Sequence, residues 1–94
     1  MKIVWTKRAV NDIHQVREHI RSENPPAAAR TGERIETATS YLAQFPESGR
    51  KGEVPGTREL VIPGLPYIMV YRIQGGRVQI LRIFHSKQKW SNAL

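Results

Sequence analysis

Gly75 and Gly76 stand between two runs rich in β-branched, aromatic and aliphatic residues, Tyr67 to Ile73 and Val78 to Phe84. Gln74-Gly75-Gly76-Arg77 therefore reads as a tight hairpin, because glycine takes positive φ at both central positions of a primed turn without steric cost. A two-residue turn also fixes strand pairing outward from itself. Ile73 is expected opposite Val78, Tyr71 opposite Ile80, Met69 opposite Arg82, and Tyr67 opposite Phe84. On the other face Arg72 meets Gln79, Val70 meets Leu81, and Ile68 meets Ile83. This second face has a compact aliphatic centre and is expected to bury against the helices. The first carries Tyr67, Met69, Tyr71, Arg82 and Phe84, and a dry core seldom accepts an unpaired arginine. It is expected either to offer aromatics to bases or to a partner's helix, or to pack under a loop or the C-terminal tail. A slip of one residue would exchange the two faces.

The remaining elements follow from local signals. Lys2 to Trp5 is a short β-type run. Thr6 can cap a helix that continues to about Glu23, with Val10, Ile13, Val16 and Ile20 recurring at helical spacing. Asn24-Pro25 restarts the chain, since Asn caps well and Pro is tolerated at a first helical position. The second helix should run to about Ala43, burying Ala28, Ile35, Ala38 and Leu42, and pair with the first as an α-hairpin. Phe45-Pro46 ends it. Residues 46–57, with Gly49, Gly52, Pro55 and Gly56, read as a loop. Arg58 to Ile62 is a strand, joined through Pro63-Gly64-Leu65-Pro66 to the hairpin. The order β-α-α-β-β-β predicts an α+β fold, a helical hairpin packed on one face of a small antiparallel sheet. The 94 residues suit one domain over residues 1–94.

Charge divides unevenly along this framework. The net charge is +7, yet residues 1–47 hold seven Lys/Arg against six Asp/Glu, while residues 48–94 hold eight against two. A segregated, arginine-rich half attracts polyanions or an acidic partner. There is no cysteine, which removes disulfides and thiolate metal sites and fits a reducing cytosol. The first residues lack a signal-peptide apolar core, and no apolar run approaches the roughly 18 residues of a membrane span. The expected location is the cytoplasm, with no membrane contact.

Reactive side chains are densest from Arg82 to Trp90. His85 can act as general acid or base near neutral pH. Arg82, Lys87 and Lys89 can hold a phosphate and stabilise developing charge. Trp90 or Tyr67 can stack on a base. RNA suits this set, because its 2′-OH is a built-in nucleophile and no metal is needed. A strand-end histidine can equally be tied to backbone. His14 and His19 lie five apart on the first helix, on different faces, so no metal site is expected. No phosphate-loop, zinc-protease or serine-elbow motif occurs, and no cofactor is expected.

Several segments, in register along nearly the whole chain, resemble the RelE/ParE toxin superfamily. They are Val4-Trp5-Thr6 with Ala9 and Asp12, Asn24-Pro25 with Ala27-Ala28, Thr57-Arg58-Glu59-Leu60, Pro66 to Arg72, and Val78 to His85. The resemblance implies the toxin of a bacterial type II toxin–antitoxin pair, arresting growth and neutralised by a cognate antitoxin that is acidic or partly disordered. It implies one of two targets, DNA gyrase (as for ParE) or mRNA on the ribosome (as for RelE). RelE-type nucleases use basic residues on the strand after the helices and an arginine opening the next. Glu59, Val61 and Ile68 stand there in this chain, and Trp90 does not substitute for the catalytic tyrosine. The reading therefore leans to gyrase inhibition, with a metal-independent endoribonuclease as the alternative. In the nuclease case His85, Arg82 and Lys87 would be catalytic. Target contacts are expected at Arg58, Tyr67, Tyr71, Arg72, Lys89 and Trp90. A nucleic-acid-binding module that is not a toxin is a third reading.

Overall fold

The computed structural model describes residues 1–87. Strand β1 is Lys2–Trp5, and helices α1 and α2 are Lys7–Glu23 and Pro25–Gln44. Thr6 caps α1, its Oγ1 accepting from the Ala9 amide at 3.2 Å. Asn24 serves both helices. Its amide donates to Ile20 O at 2.7 Å to close α1, and its Oδ1 accepts from Ala27 N at 3.3 Å to open α2. The buried stripe of α2 contains Ala28, Ile35, Ala38 and Leu42 as expected, with Thr31 added. That of α1 is rotated from expectation. Ala9, Asp12 and Ile13 are buried, Val16 and Ile20 are half-buried, and Val10 is exposed.

Four further strands follow, β2 (Arg50–Lys51), β3 (Arg58–Val61), β4 (Tyr67–Gln74) and β5 (Arg77–His85). They form one five-stranded sheet in the order β1-β5-β4-β3-β2. Two expectations are corrected here, a purely antiparallel sheet and a strandless loop over residues 46–57. β1 pairs parallel to β5, Lys2 with Arg77 through Trp5 with Ile80. The whole chain between them, the helical hairpin and three strands, is the connection, far beyond the dozen or more residues that a parallel pairing needs. The 46–57 loop also contributes β2, antiparallel to β3.

The hairpin turn is as expected, with φ of +59° at Gly75 and +72° at Gly76. Pairing holds outward through Ile73–Val78, Arg72–Gln79 and Tyr71–Ile80. A β-bulge then intervenes, and Val70 pairs with Arg82, Met69 with Ile83, Ile68 with Phe84, and Tyr67 with His85. The extra residue is Leu81. It moves Arg82 and Phe84 out of the row they were expected to share with Tyr71 and Met69.

The sheet face that packs on the helices is the reverse of the expected one. Tyr71 and Met69 are fully buried with Val78, Ile80 and Ile83 beneath Ala9, Ile13, Ile35, Ala38 and Leu42. The aliphatic set Ile68 and Val70 joins Phe84 in a second, smaller cluster under Val54 and Leu81. Tyrosine is tolerated in the main core because its hydroxyl is satisfied there. It donates to Pro46 O at 2.7 Å and accepts from Gly49 N at 2.9 Å. Removing Arg82 from that face leaves it free of charge, and its apolar volume goes to the helices.

Candidate functional site

β5 outruns its neighbour. β1 reaches only as far as Ile80, so beyond it the backbone of β5 needs other partners. The start of α1 provides them. Thr6 Oγ1 donates to Ile80 O at 2.9 Å and to Leu81 O at 3.1 Å. Six residues further on Asp12 accepts from Ile83 N at 3.0 Å. The same carboxylate takes a bidentate bond from Arg82, Nε to Oδ2 at 2.7 Å and Nη2 to Oδ1 at 3.0 Å. Asp12 is 8 % exposed, so its charge is compensated by a guanidinium and an amide rather than by water. The hydrogen bond that Arg82 donates to Asp12 holds the Arg82 pKa above its ordinary value, against the opposing effect of burial. The guanidinium carbon also sits 4.6 Å from the centre of the Phe84 ring.

His85 closes the strand beside Tyr67, ring centres 5.5 Å apart in an edge-on contact. Its Nδ1 accepts from the Lys87 amide at 3.2 Å, so the neutral ring carries its proton on Nε2. Arg82, His85 and Tyr67 line one open cavity of about 270 Å³, together with Asp12, Gln15 and His19 of α1. Such a cavity can donate hydrogen bonds to an anionic or polar group. Its imidazole is oriented as a donor, with Nδ1 committed to backbone.

The other expected contact residues are dispersed. Lys87 is exposed in the turn after β5. Arg72 is exposed on the face away from the helices and donates to Gln79 Oε1 at 2.5 Å. Arg58 Nη1 donates to Gly49 O at 2.8 Å and Glu47 O at 3.2 Å, and so holds the loop that Tyr71 also holds. Tyr71 is corrected from a target contact to a core residue, because no part of it reaches the surface. Lys89 and Trp90 lie outside the described residues. Asp12, Gln15 and His19 were missed as members of this region. Asp12 carried a signal, since its place among Ala9, Ile13 and Val16 puts an acid on the buried stripe and demands a buried cation or donor. Glu59 is a second such acid, 7 % exposed and held by Arg50 Nη2 at 2.8 Å. Among the described residues no group of three or more His, Asp or Glu can hold a metal ion, and no helix is long and apolar enough to cross a membrane.

A helical hairpin on a five-stranded mixed sheet is the fold of RelE/ParE superfamily toxins. The solved structure of the chromosomal ParDE toxin–antitoxin system from P. aeruginosa superposes with a TM-score of 0.82 at 30 % identity, covering 90 % of this chain and 95 % of that one. Residues 3–90 match the family described as the ParE toxin of the type II toxin–antitoxin system parDE, and the chain belongs to that family. It is 43 % identical over 93 residues to the putative toxin Y4kP of Sinorhizobium fredii, covering 99 % of this chain and 96 % of that protein. It is 38 % identical to toxin RelE2 of Caulobacter vibrioides, covering 90 % and 94 %.

Proposed function

We propose that this chain arrests bacterial growth by inhibiting DNA gyrase, without cleaving RNA, and that a cognate antitoxin encoded beside it holds it silent in the cytoplasm. The observation that carries the choice of target is the bidentate Asp12–Arg82 pair. A nuclease without a metal needs cations that can follow charge onto a phosphate as it builds. The arginine best placed beside His85 has two of its five N–H donors, and the nearest compensating charge, on a carboxylate that is itself buried. His85 supports the same reading, because a general base needs a lone pair turned to the substrate and its Nδ1 is occupied by backbone. Glu59 stands where RelE-type nucleases carry a basic residue, and it is neutralised by Arg50. The similarity to a ParDE system at 30 % identity supports both the family reading and the antitoxin.

Two observations favour the endoribonuclease alternative. His85, Arg82 and Tyr67 do share a cavity, and a relative carries the name RelE2. The two readings separate in one experiment. The purified chain is titrated into a gyrase supercoiling assay, and RNA ends are mapped in cells after induction. Inhibited supercoiling with unchanged RNA ends is expected. New ribosome-dependent mRNA ends with supercoiling intact would transfer the function to RNA cleavage, with His85 as donor and Lys87 as phosphate ligand.

A further inference from the structure

Charge is sorted by layer in this molecule as well as by position along the chain. The five strands hold seven Lys/Arg against one acid, Glu59, whereas the two helices hold six against five. Cross-strand partners share a face, so the register shows which of these cations lie on the side of the sheet turned away from the helices. Lys2 pairs with Arg77, Arg77 with Gln74, and Arg72 with Gln79, in rows that alternate with the helix-facing pairs Ile73–Val78 and Tyr71–Ile80. Lys2, Arg72 and Arg77 are all exposed. Arg72 is the diagonal neighbour of Arg77 across the hairpin, about 7–8 Å away. No acidic residue stands in these rows, so three like charges repel one another on one small surface. Farther along the same face Arg82 and Arg50 are each turned to a buried acid, Asp12 and Glu59. Beside Arg72 the face dips into a trough of about 330 Å³ between the start of α1 and the turn at 54–57, lined by Arg8, Arg72, Val54 and Leu81 among others.

We infer that this outer sheet face, centred on Lys2, Arg72 and Arg77, docks on the phosphate backbone of duplex DNA and so holds the toxin on the DNA that gyrase works on. Charge complementarity selects a polyanion, and the spacing of Arg72 and Arg77 is on the scale of adjacent phosphates along one DNA strand. The aromatics select a duplex over a single strand, because unpaired bases bind by stacking on exposed rings. Trp5, Tyr67 and Tyr71 pack on the helix side of the sheet, and Phe84, on the outer side, is 5 % exposed beneath the Arg82 guanidinium. Among the described residues the outer face therefore offers charge and no stacking platform, which suits contact with backbone and no reading of sequence. The choice of DNA rests on the gyrase reading above. The cavity beside His85 shares none of these three cations, so gripping DNA and contacting the enzyme are separable properties of the surface.

The test follows the anisotropy of a short labelled DNA duplex titrated with the full-length chain, in two unrelated sequences and across a salt series. Wild type is expected to bind both sequences alike, with log K falling against log salt at a slope of about −3, one phosphate for each of the three cations. Arg72→Gln combined with Arg77→Gln is expected to weaken binding about tenfold at low salt and to flatten the slope to about −1. Arg21→Gln combined with Arg30→Gln removes the same charge from exposed helix positions and is expected to change either quantity little. Thermal melts confirm that both double variants fold. Equal losses in the two pairs would reduce the effect to net charge and overturn the face assignment. Tighter binding to a single-stranded RNA than to the duplex would overturn the choice of DNA. A gyrase supercoiling assay separates the inference from the reading beneath it. Inhibition by a wild-type chain that binds no duplex overturns the DNA face and leaves the gyrase reading standing. Duplex binding as described with supercoiling untouched overturns the gyrase reading and leaves the face. Loss of inhibition in the Arg72, Arg77 pair but not in the helix pair supports both.

Discussion

Asp12 carries three hydrogen bonds from β5, two from the Arg82 guanidinium and one from the Ile83 amide. Removing the carboxylate strands a part-buried cation and orphans a backbone donor. Asp12→Ala is therefore expected to cost about 2–3 kcal/mol, read by denaturant unfolding. The double change Asp12→Leu with Arg82→Met should recover part of that loss, because no unpaired charge remains. Recovery of growth arrest in the double variant would show that Arg82 serves the fold rather than the target. Tyr71 makes a second such point. Its hydroxyl fills the space over Gly49, where a Cβ would come within 2.6 Å of it, and bonds both Gly49 N and Pro46 O. Tyr71→Phe is expected to lose about 1–3 kcal/mol with little change in volume. Burial raises the Tyr71 pKa above its ordinary 10.0, outweighing the opposing Gly49 bond and Arg58 charge. A raised folded-state pKa means stability that is whole below pH 10 and is lost as pH climbs through the folded value. Thermal melts from pH 9 upward should show that loss in wild type and less of it in Tyr71→Phe.

Both helices were legible because their ends are written locally. Thr6 and Asn24 cap them as their side-chain chemistry requires, and the apolar spacing of α2 is regular. The two caps are nevertheless unequal. Asn24 serves only the helices, whereas Thr6 also donates to the Ile80 and Leu81 carbonyls and so ties α1 to the sheet. Thr6→Val should cost more than Asn24→Ala, about 2 against about 1 kcal/mol by chemical denaturation. The hairpin turn was legible from Gly75-Gly76, and its pairing held until the bulge at Leu81. Nothing in Gln79-Ile80-Leu81-Arg82 announces an extra residue. The bulge arises where Ile80 and Ile83 must both face the helices while the backbone of β5 leaves β1 and meets Thr6 and Asp12.

The fold places one acidic residue, Asp12, at the seam between helices and sheet, and leaves a chain of net charge +7 to face its partners. Long-range attraction acts on encounter more than on the bound state. Association with the antitoxin is therefore expected to slow markedly across a salt series while dissociation changes less, with the affinity resting on apolar area such as the Tyr41–Phe45 pair. A salt-independent association rate in stopped flow would contradict this division of labour. An antitoxin segment that orders on binding must also offset its own ordering entropy, which calls for a wide interface.

The α+β class, the order of its main elements, the caps and the hairpin turn follow from residues close together in the chain, because capping, helical spacing and glycine φ are local physics. So does the basic excess of the second half. The parallel seat of β1, the bulge and the choice of buried sheet face were settled only by packing. Tyr71 is an acceptable core residue only because Pro46 and Gly49 arrive with hydrogen-bond partners from 25 and 22 residues away. Arg82 is braced against the first helix only because Asp12, 70 residues earlier, lies against it. Local sequence pattern carries no information about such meetings, since they exist only once two helices have closed over the sheet.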